Sequence, residues 1–315
     1  MIKNIVYIFS TFTIISCSGN YSGNEDDVLK SITSPIFIIN DQDGRTYKSQ
    51  DGMNWEVNVS LYDKFANSIK LKFINKKITI TGYHNAKGYI GFLGNGMNWE
   101  TQLVGNEALN SIAFNNGVYV VVGHDGNIYS SINGGEYLIR SSDGNTARFQ
   151  DVIFENNIFV AIGSSGLIKS SFDGISWSTV NSGVGHNLNK IIFVENNFYI
   201  SCGNGKILKS SSGNNWQVID TGTSDEINSL TYGNNTFVAV GPRNKILTSE
   251  NGVDWNQIET NQNKQLTDVV YGNKLYIAIG ESGTILTSNN SITWDITNLN
   301  YYNFKSIIYK DEILK

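Results

Sequence analysis

Six tryptophans set the frame of this 315-residue chain. Trp55, Trp99, Trp177, Trp216, Trp255 and Trp294 are separated by 44, 78, 39, 39 and 39 residues. The interval of 78 is twice 39, which predicts one more repeat between Trp99 and Trp177 with its Trp replaced. Tyr137 takes that place, because Ser131-Ile132-Asn133-Gly134 precedes it as Ser171-Phe172-Asp173-Gly174 precedes Trp177. A fixed period of this size means units that cannot bury their own apolar faces and must stack on neighbours.

Each repeat carries four strand signals. An alternating segment such as Leu188 to Val194 comes first, and a Gly-Asn or Asn-Asn turn follows it. A continuous apolar run such as Phe237-Val238-Ala239-Val240 is next, then a short strand such as Lys245 to Ser249. A Ser-x-Asp-Gly-x-x-Trp turn leads to a fourth strand beginning at the Trp. An unbroken apolar run needs cover on both faces, which face-to-face blades around an axis provide. Six full repeats centre on the aromatics at 99, 137, 177, 216, 255 and 294. The seventh is split: Ile36 to Trp55 lacks a first strand, and Phe304 to Tyr309 is a lone first strand. The expected fold is therefore all-β, a seven-bladed propeller over residues 35–315 with four-stranded blades, its first blade closed by the C-terminal strand.

Composition agrees and narrows the function. Only 16% of residues are charged, there are 2 Pro, and 31 Gly join abundant Asn and Ser to supply turns. A net charge of -5 without any long Lys/Arg run gives no footprint for nucleic acid. Arginine occurs only at Arg45, Arg140, Arg148 and Arg243, so any anion-processing site must draw on those four.

The first residues read as an address. Lys3 is followed by the apolar stretch Ile5 to Ile15, too short to span a bilayer at roughly 20 residues and suited to a signal h-region. Ile14-Ile15-Ser16-Cys17 resembles the bacterial lipobox, which implies removal of residues 1–16 and a lipidated Cys17. A polar tether fills the rest of 17–34, and Ser18 after the cysteine points to the outer membrane or cell surface. Cys202 is then the one cysteine left in an exported chain, expected buried in a strand and without a disulfide.

The turn before each Trp is best preserved as Ser49-Gln50-Asp51-Gly52-Met53-Asn54-Trp55 and as Ser171 to Trp177, with Asp173 and Gly174 at the corner. Looser copies are Ser249-Glu250-Asn251-Gly252 to Trp255, Ser211-Ser212-Gly213 to Trp216, Asn95-Gly96 to Trp99 and Ser288-Asn289-Asn290-Ser291 to Trp294. These resemble the Asp-box, or bacterial neuraminidase repeat, of sialidases, of several glycoside hydrolases and of the photosystem II stability and assembly factors. The resemblance covers about Ile36 to Tyr309. Locally, Asp or Asn accepts turn amides, Gly takes positive φ, and Trp wedges into the blade. That is a structural role, and in the resembled families these turns face away from the active site. Ser141-Ser142-Asp143-Gly144 has Ala147 where the Trp belongs and is read as a loop.

A functional site is expected at the other end, where loops join strands two and three and where the chain crosses between blades. Asp43, His84, His124, Asp125, His186, Arg243 and Glu281 fall there. No HxH or HxxxH pair is present, and neither a metal nor a cofactor is expected. A sialidase would need three of the four Arg to converge on a carboxylate, with a Tyr activated by Glu. The Phe/Tyr-Arg-Ile-Pro motif is missing, since Pro35-Ile36-Phe37-Ile38 has no Arg. A two-carboxylate glycoside hydrolase using Asp43, Asp125 or Glu281 stays open as the alternative. The photosystem assembly factors imply a rigid non-catalytic platform, although their Arg-rich patch cannot be assembled here. The reading adopted is a monomeric, envelope-anchored lipoprotein that binds a protein or glycan partner. Tyr301-Tyr302 is a candidate sugar platform, or else packing at the closing seam.

Overall fold

A computed structural model describes residues 35–60, 67–93, 99–142, 147–258, 260, 263–299 and 302–311. Cys17 and its signal, Asn95 and Gly96, Asp143 and Gly144, and Tyr301 lie outside the described residues. The chain forms seven antiparallel four-stranded sheets. Blade one is Ile36–Asp41, Arg45–Ser49 and Glu56–Ser60, with the C-terminal strand Phe304–Lys310 on its inner edge. That pairing runs from Ile36 opposite Lys310 to Asp41 opposite Phe304, so the expected closure is found.

The inner strands of blades two to seven are Asn67–Ile74, Leu109–Asn115, Phe149–Glu155, Leu188–Val194, Ser229–Gly233 and Leu266–Gly272. Each touches the next, from blade one round to blade seven and back, so the seven line one axis. Antiparallel order then separates two ends. The loops between strands two and three and the crossings between blades form a loop face. The first hairpins and the Trp-bearing turns form the opposite turn face.

Burial follows the ring. There is one apolar cluster in each of the seven gaps between blades and no common centre. Ala113, Val120 and Val122 of blade three meet Phe149, Val152 and Phe159 of blade four, for example. The seam between blades seven and one is filled alike, with Ile277 and Ile279 against Phe37, Ile39, Phe304 and Ile307. Cys202 ends the strand Asn197–Cys202, fully buried, and burial pushes its thiol up to about 12. That leaves it inert toward oxidation.

Asparagine has a geometric reason. The first hairpins turn on Asn75-Lys76, Asn156-Asn157, Glu195-Asn196, Asn234-Asn235 and Asn273-Lys274, with positive φ at both positions. Such tight turns match the twist of the flanking strands, and Asn tolerates them best among non-glycine residues.

The Ser-x-Asp-Gly turns share one bonding scheme. In blade four, Ser171 Oγ donates to Asp173 Oδ1 and accepts from Gly174 N, while Asp173 Oδ1 accepts from Ile175 N and Ser176 N at 2.8 Å each. Trp177 Nε1 donates to Gly174 O at 3.2 Å. Blade one repeats this with Ser49, Asp51, Gly52 and Trp55. Blade six uses Asn251 as the acceptor and blade seven Asn290. Gly174 is fixed twice over: its φ is +73, and a Cβ there would sit 2.9 Å from Val120 of the preceding blade. In blades one, four and seven the tryptophan is thus bonded into the turn. Fourth strands begin one residue after it at Glu56, Ser178, Gln217, Asn256 and Asp295, later than the sequence suggests, and at the Trp itself only in Trp99–Gly105. Trp177, Trp216, Trp255 and Trp294 then pack 6.1 to 6.3 Å from Phe159, Phe198, Phe237 and Tyr276. In blade three Tyr137 is buried in the same way.

Deleting residues 304–315 strips Phe304 and Ile307 from the seam and bares the strand Ile36–Asp41. Losing two such side chains costs about 5 kcal/mol or more, and the melting temperature should fall by at least about 10 °C in a thermal scan. An unchanged midpoint would contradict closure by this strand. Asp173→Ala should cost about 1 kcal/mol in urea unfolding, whereas Asp173→Asn, which copies Asn251 and Asn290, should be near neutral. Turn amides hold the Asp173 carboxyl down to about 2. Its contribution is therefore full above the ordinary carboxylate range, is lost as pH falls through about 2, and should be absent in the Asn variant.

Candidate functional site

The loop face distributes its candidate residues one blade at a time. Asp43 lies in blade one, where its carboxylate pairs with Arg45 at 3.0 Å. Asp41 is the buried end of the strand Ile36–Asp41 and organises the loop. It accepts from Asp43 N and Arg45 N at 2.9 Å each, from Arg45 Nη1 at 3.3 Å and from Tyr47 Oη at 3.0 Å. Arg45 also lies over the Tyr302 ring at 4.9 Å, and Tyr302 packs on Tyr47. Tyr302 is thus seam packing.

His84 ends the strand Lys77–His84 and is paired with Lys87. His124 and Asp125 open the loop of blade three, where Asp125 has φ +57. Burial, and then the nearby Arg148, lower the His124 pKa, outweighing Asp125 and Glu107, so its imidazole is neutral at pH 7. His186 Nε2 meets Asn204 Nδ2 at 3.5 Å in the crossing into blade five. Arg243, at φ +55, ion-pairs with Asp225, which Lys245 also holds at 2.9 Å. Glu281 opens the short turn Glu281–Gly283, its backbone N donating to Gln265 O.

Asp43, Asp125 and Glu281 therefore occupy blades one, three and seven. Among the described residues no group of three or more His, Cys, Asp or Glu could hold a metal ion. The arginines are dispersed too: Arg45 and Arg243 are ion-paired, Arg140 Nε donates to Ser130 Oγ at 2.9 Å, and Arg148 stands at the crossing into blade four. Tyr232 meets Glu195 and Tyr309 meets Asp311 on the turn face, and near the loop face two more tyrosines meet acids, Tyr47 with Asp41 and Tyr129 with Glu107. Burial is the first cause raising these last two phenols, so each is protonated and donates to its carboxylate.

Just below this face lies a polar ring on the axis, which the motif reading missed. One equivalent position in the seven inner strands reads Lys70, Ser111, Asp151, Lys190, Ser229, Asp268 and Ser306 from blade two round to blade one. In blades one to five and seven a register shift just before the position re-aims the strand edge. Ser111 Oγ donates to Asp151 Oδ1 at 2.7 Å, as Ser229 Oγ does to Asp268 Oδ1 at 2.6 Å. Each carboxylate also takes the amide of its own next residue and one from the next blade: Val152 and Ile191 for Asp151, Val269 and Ile307 for Asp268. Ser306 Oγ adds a bond to Asp268 Oδ2.

Lysines complete the pattern from two blades back. Lys70 and Lys72 reach past blade three to Asp151, at 3.1 and 2.8 Å, and also donate to Gln150 O and Val152 O. Lys190 reaches past blade six to within 3.6 Å of Asp268. A Lys-Ser-Asp triad thus spans blades two to four and recurs across five to seven. Burial opposes ionisation of Asp151, yet Lys70, Lys72 and Lys190 outweigh it and hold the carboxyl well below its usual range. A belt of side chains caps the ring: Asn110, Asn189, Asn228 and Thr267 each donate to a backbone carbonyl of the next blade, at 2.6 to 2.9 Å.

No family model matches the chain, and no curated protein matches it. Solved structures do. A computationally designed protein, Ika8, is similar at TM-score 0.65 and 17% identity over 89% of this chain and 90% of that one. YCF48 from Cyanidioschyzon merolae is similar at 0.59 and 14% over 78% and 95%, and a YCF48 bound to a D1 peptide at 0.50 and 20% over 61% and 67%. The WD40 propeller domain of Doa1 reaches 0.58 and 15% over 78% and 90%. At these identities the likeness is one of fold, and the chain is a seven-bladed β-propeller.

Proposed function

We propose that this protein is a lipid-anchored, non-catalytic platform that binds an envelope partner through its loop face. The observation that carries this reading is the dispersal of that face's reactive groups around the ring. Its carboxylates are spread over separate blades, and its arginines are largely committed to internal partners. A broad rigid rim of loops suits an extended partner better than a small substrate, which needs convergent groups in one concavity. A protein or peptide partner is favoured because a propeller of similar fold, YCF48, is known bound to a D1 peptide. We read the Ser-x-Asp-Gly turns as Asp-boxes that stiffen the opposite face, and Cys17 as the lipidated residue.

Cys17→Ser should abolish labelling with radioactive palmitate and move the protein from the membrane to the soluble fraction. Labelling that persists would overturn the anchor. From detergent-solubilised envelope, the wild-type chain should capture a partner at least about tenfold better than a variant carrying His186→Glu and Arg243→Glu. Phe172→Ser on the turn face should capture as wild type. Turnover of a fluorogenic glycoside that is lost on substituting Asp43, Asp125 or Glu281 would replace the platform with the glycosidase reading.

A further inference from the structure

The axial ring is not balanced in charge. Lys70, Lys72 and Lys190 bring three ammonium groups to a cluster whose only carboxylates are Asp151 and Asp268. The acceptors on those carboxylates are already taken. Asp151 receives Ser111, two amides and two lysines, and Asp268 receives Ser229, Ser306 and two amides. The lysines keep donor capacity in hand, since an ammonium has three N–H groups, while Lys70 and Lys72 each meet two acceptors and Lys190 meets Asp268 at 3.6 Å. Their side chains are 13, 15 and 20% exposed, whereas Asp151 is fully buried, so the lysine side chains form the less buried part of the cluster.

We propose that the axial ring binds one small monoanion of halide size between the ammonium groups of Lys70, Lys72 and Lys190. One negative charge neutralises the surplus. A divalent anion would leave the cluster net negative beside two buried carboxylates, at a Coulombic cost that their burial raises. The ring's serine hydroxyls are turned to the carboxylates, leaving the lysines as the donors that face the ion.

The site carries a pH signature. The groups facing it are Lys70 and Lys72 from blade two, Asp151 from blade four, Lys190 from blade five and Asp268 from blade seven. Burial, opposed by Asp151 and reinforced by Lys190 and Lys72, brings Lys70 down to about 8. Burial lowers Lys72 as well, against the pull of Asp151, whereas for Lys190 burial is outweighed by Asp268 and Asp151, which raise it, so the surplus stands where Lys70 and Lys72 both keep their protons. Above pH 8 Lys70 loses its proton and the cluster becomes neutral, so the anion should leave. In its absence the folded state holds Lys70 protonated less readily than the unfolded chain does, and stability from this group rises with pH between about 8 and the usual lysine value. A bound halide offsets that cost below pH 8.

Chloride-35 NMR on the whole protein tests this. At pH 7 the line should broaden saturably, narrow when bromide is added as competitor, and lose the saturable part at pH 9.5. Lys190→Gln and Lys70→Gln should each weaken the effect at least about tenfold. Should either variant fail to fold, bromide-soaked wild-type crystals decide, with an anomalous peak expected against the Lys70 and Lys190 ammoniums. Broadening that stays linear in protein and independent of pH, or a bromide map with peaks only on the outer surface, would overturn the proposal.

Discussion

The carboxylate of Asp268 ties the closing strand into this ring, as that of Asp151 ties blades two to five. Asp268 stands on the inner strand of blade seven and receives Ser229 from blade six and Ser306 Oγ and Ile307 N from the C-terminal strand, with Lys190 of blade five at 3.6 Å. Those last two donors belong to the strand that closes blade one. The pairing of the chain's two ends and the satisfaction of a buried negative charge are therefore one event. A seam left open would strand that charge with half its donors, which is far costlier than losing an exposed ion pair. This gives the ring a polar reason to close beside the apolar one supplied by Phe304 and Ile307.

The same logic explains how a chain with so few charges uses them. Apolar clusters fill all seven gaps, yet apolar contact is non-directional and does little to fix how many blades meet or in what order. The two Lys-Ser-Asp triads are directional. Each spans three blades, and each lysine finds its carboxylate only if the intervening blade contributes its serine at the right height. A ring of another blade number would break the pairing. Low overall charge and a concentrated axial network are thus compatible: most of the surface is solvated by Asn, Ser and Gly turns, and several buried charges are spent where geometry matters most.

Much of this was legible in the sequence and some was not, for identifiable reasons. The spacing of the tryptophans and the unpaired segments Ile36 to Trp55 and Phe304 to Tyr309 carried blade number and closure, because both follow from period and from the need to hide sheet edges. The turn chemistry of Asp173 and Asn251 was legible because it is local. Strand starts were read a residue early at Trp55 and Trp177, since the indole bonds to its own turn and not to the ladder. Topology carries which end of the blades the loop residues occupy, but not their partners: nothing local says that Asp225 takes Arg243 or that buried Asp41 takes Tyr47. The axial ring was missed because Lys70, Asp151 and Asp268 sit in apolar strands as isolated charges. Aligning the repeats at that one column, with separations of 38 to 41 residues, would have exposed the Lys-Ser-Asp order.

On the function proposed above, platform and axle divide the labour of the molecule. The inner strands hold the loops of seven blades at fixed spacing, and the loop face can present side chains to a partner without reorganising, which is the advantage of a preorganised surface. Its rigidity depends on the seam. Native-state hydrogen exchange, compared between the wild type and Asp268→Asn, tests that dependence most directly. Asparagine removes the charge that faces Lys190 and opposes an amide to the donors Ser306 and Ile307. If the account is right, Phe304–Lys310 and Ile36–Asp41 lose protection together in the variant while the inner strands of blades two to four keep theirs. Seam protection equal to that of the wild type would contradict it.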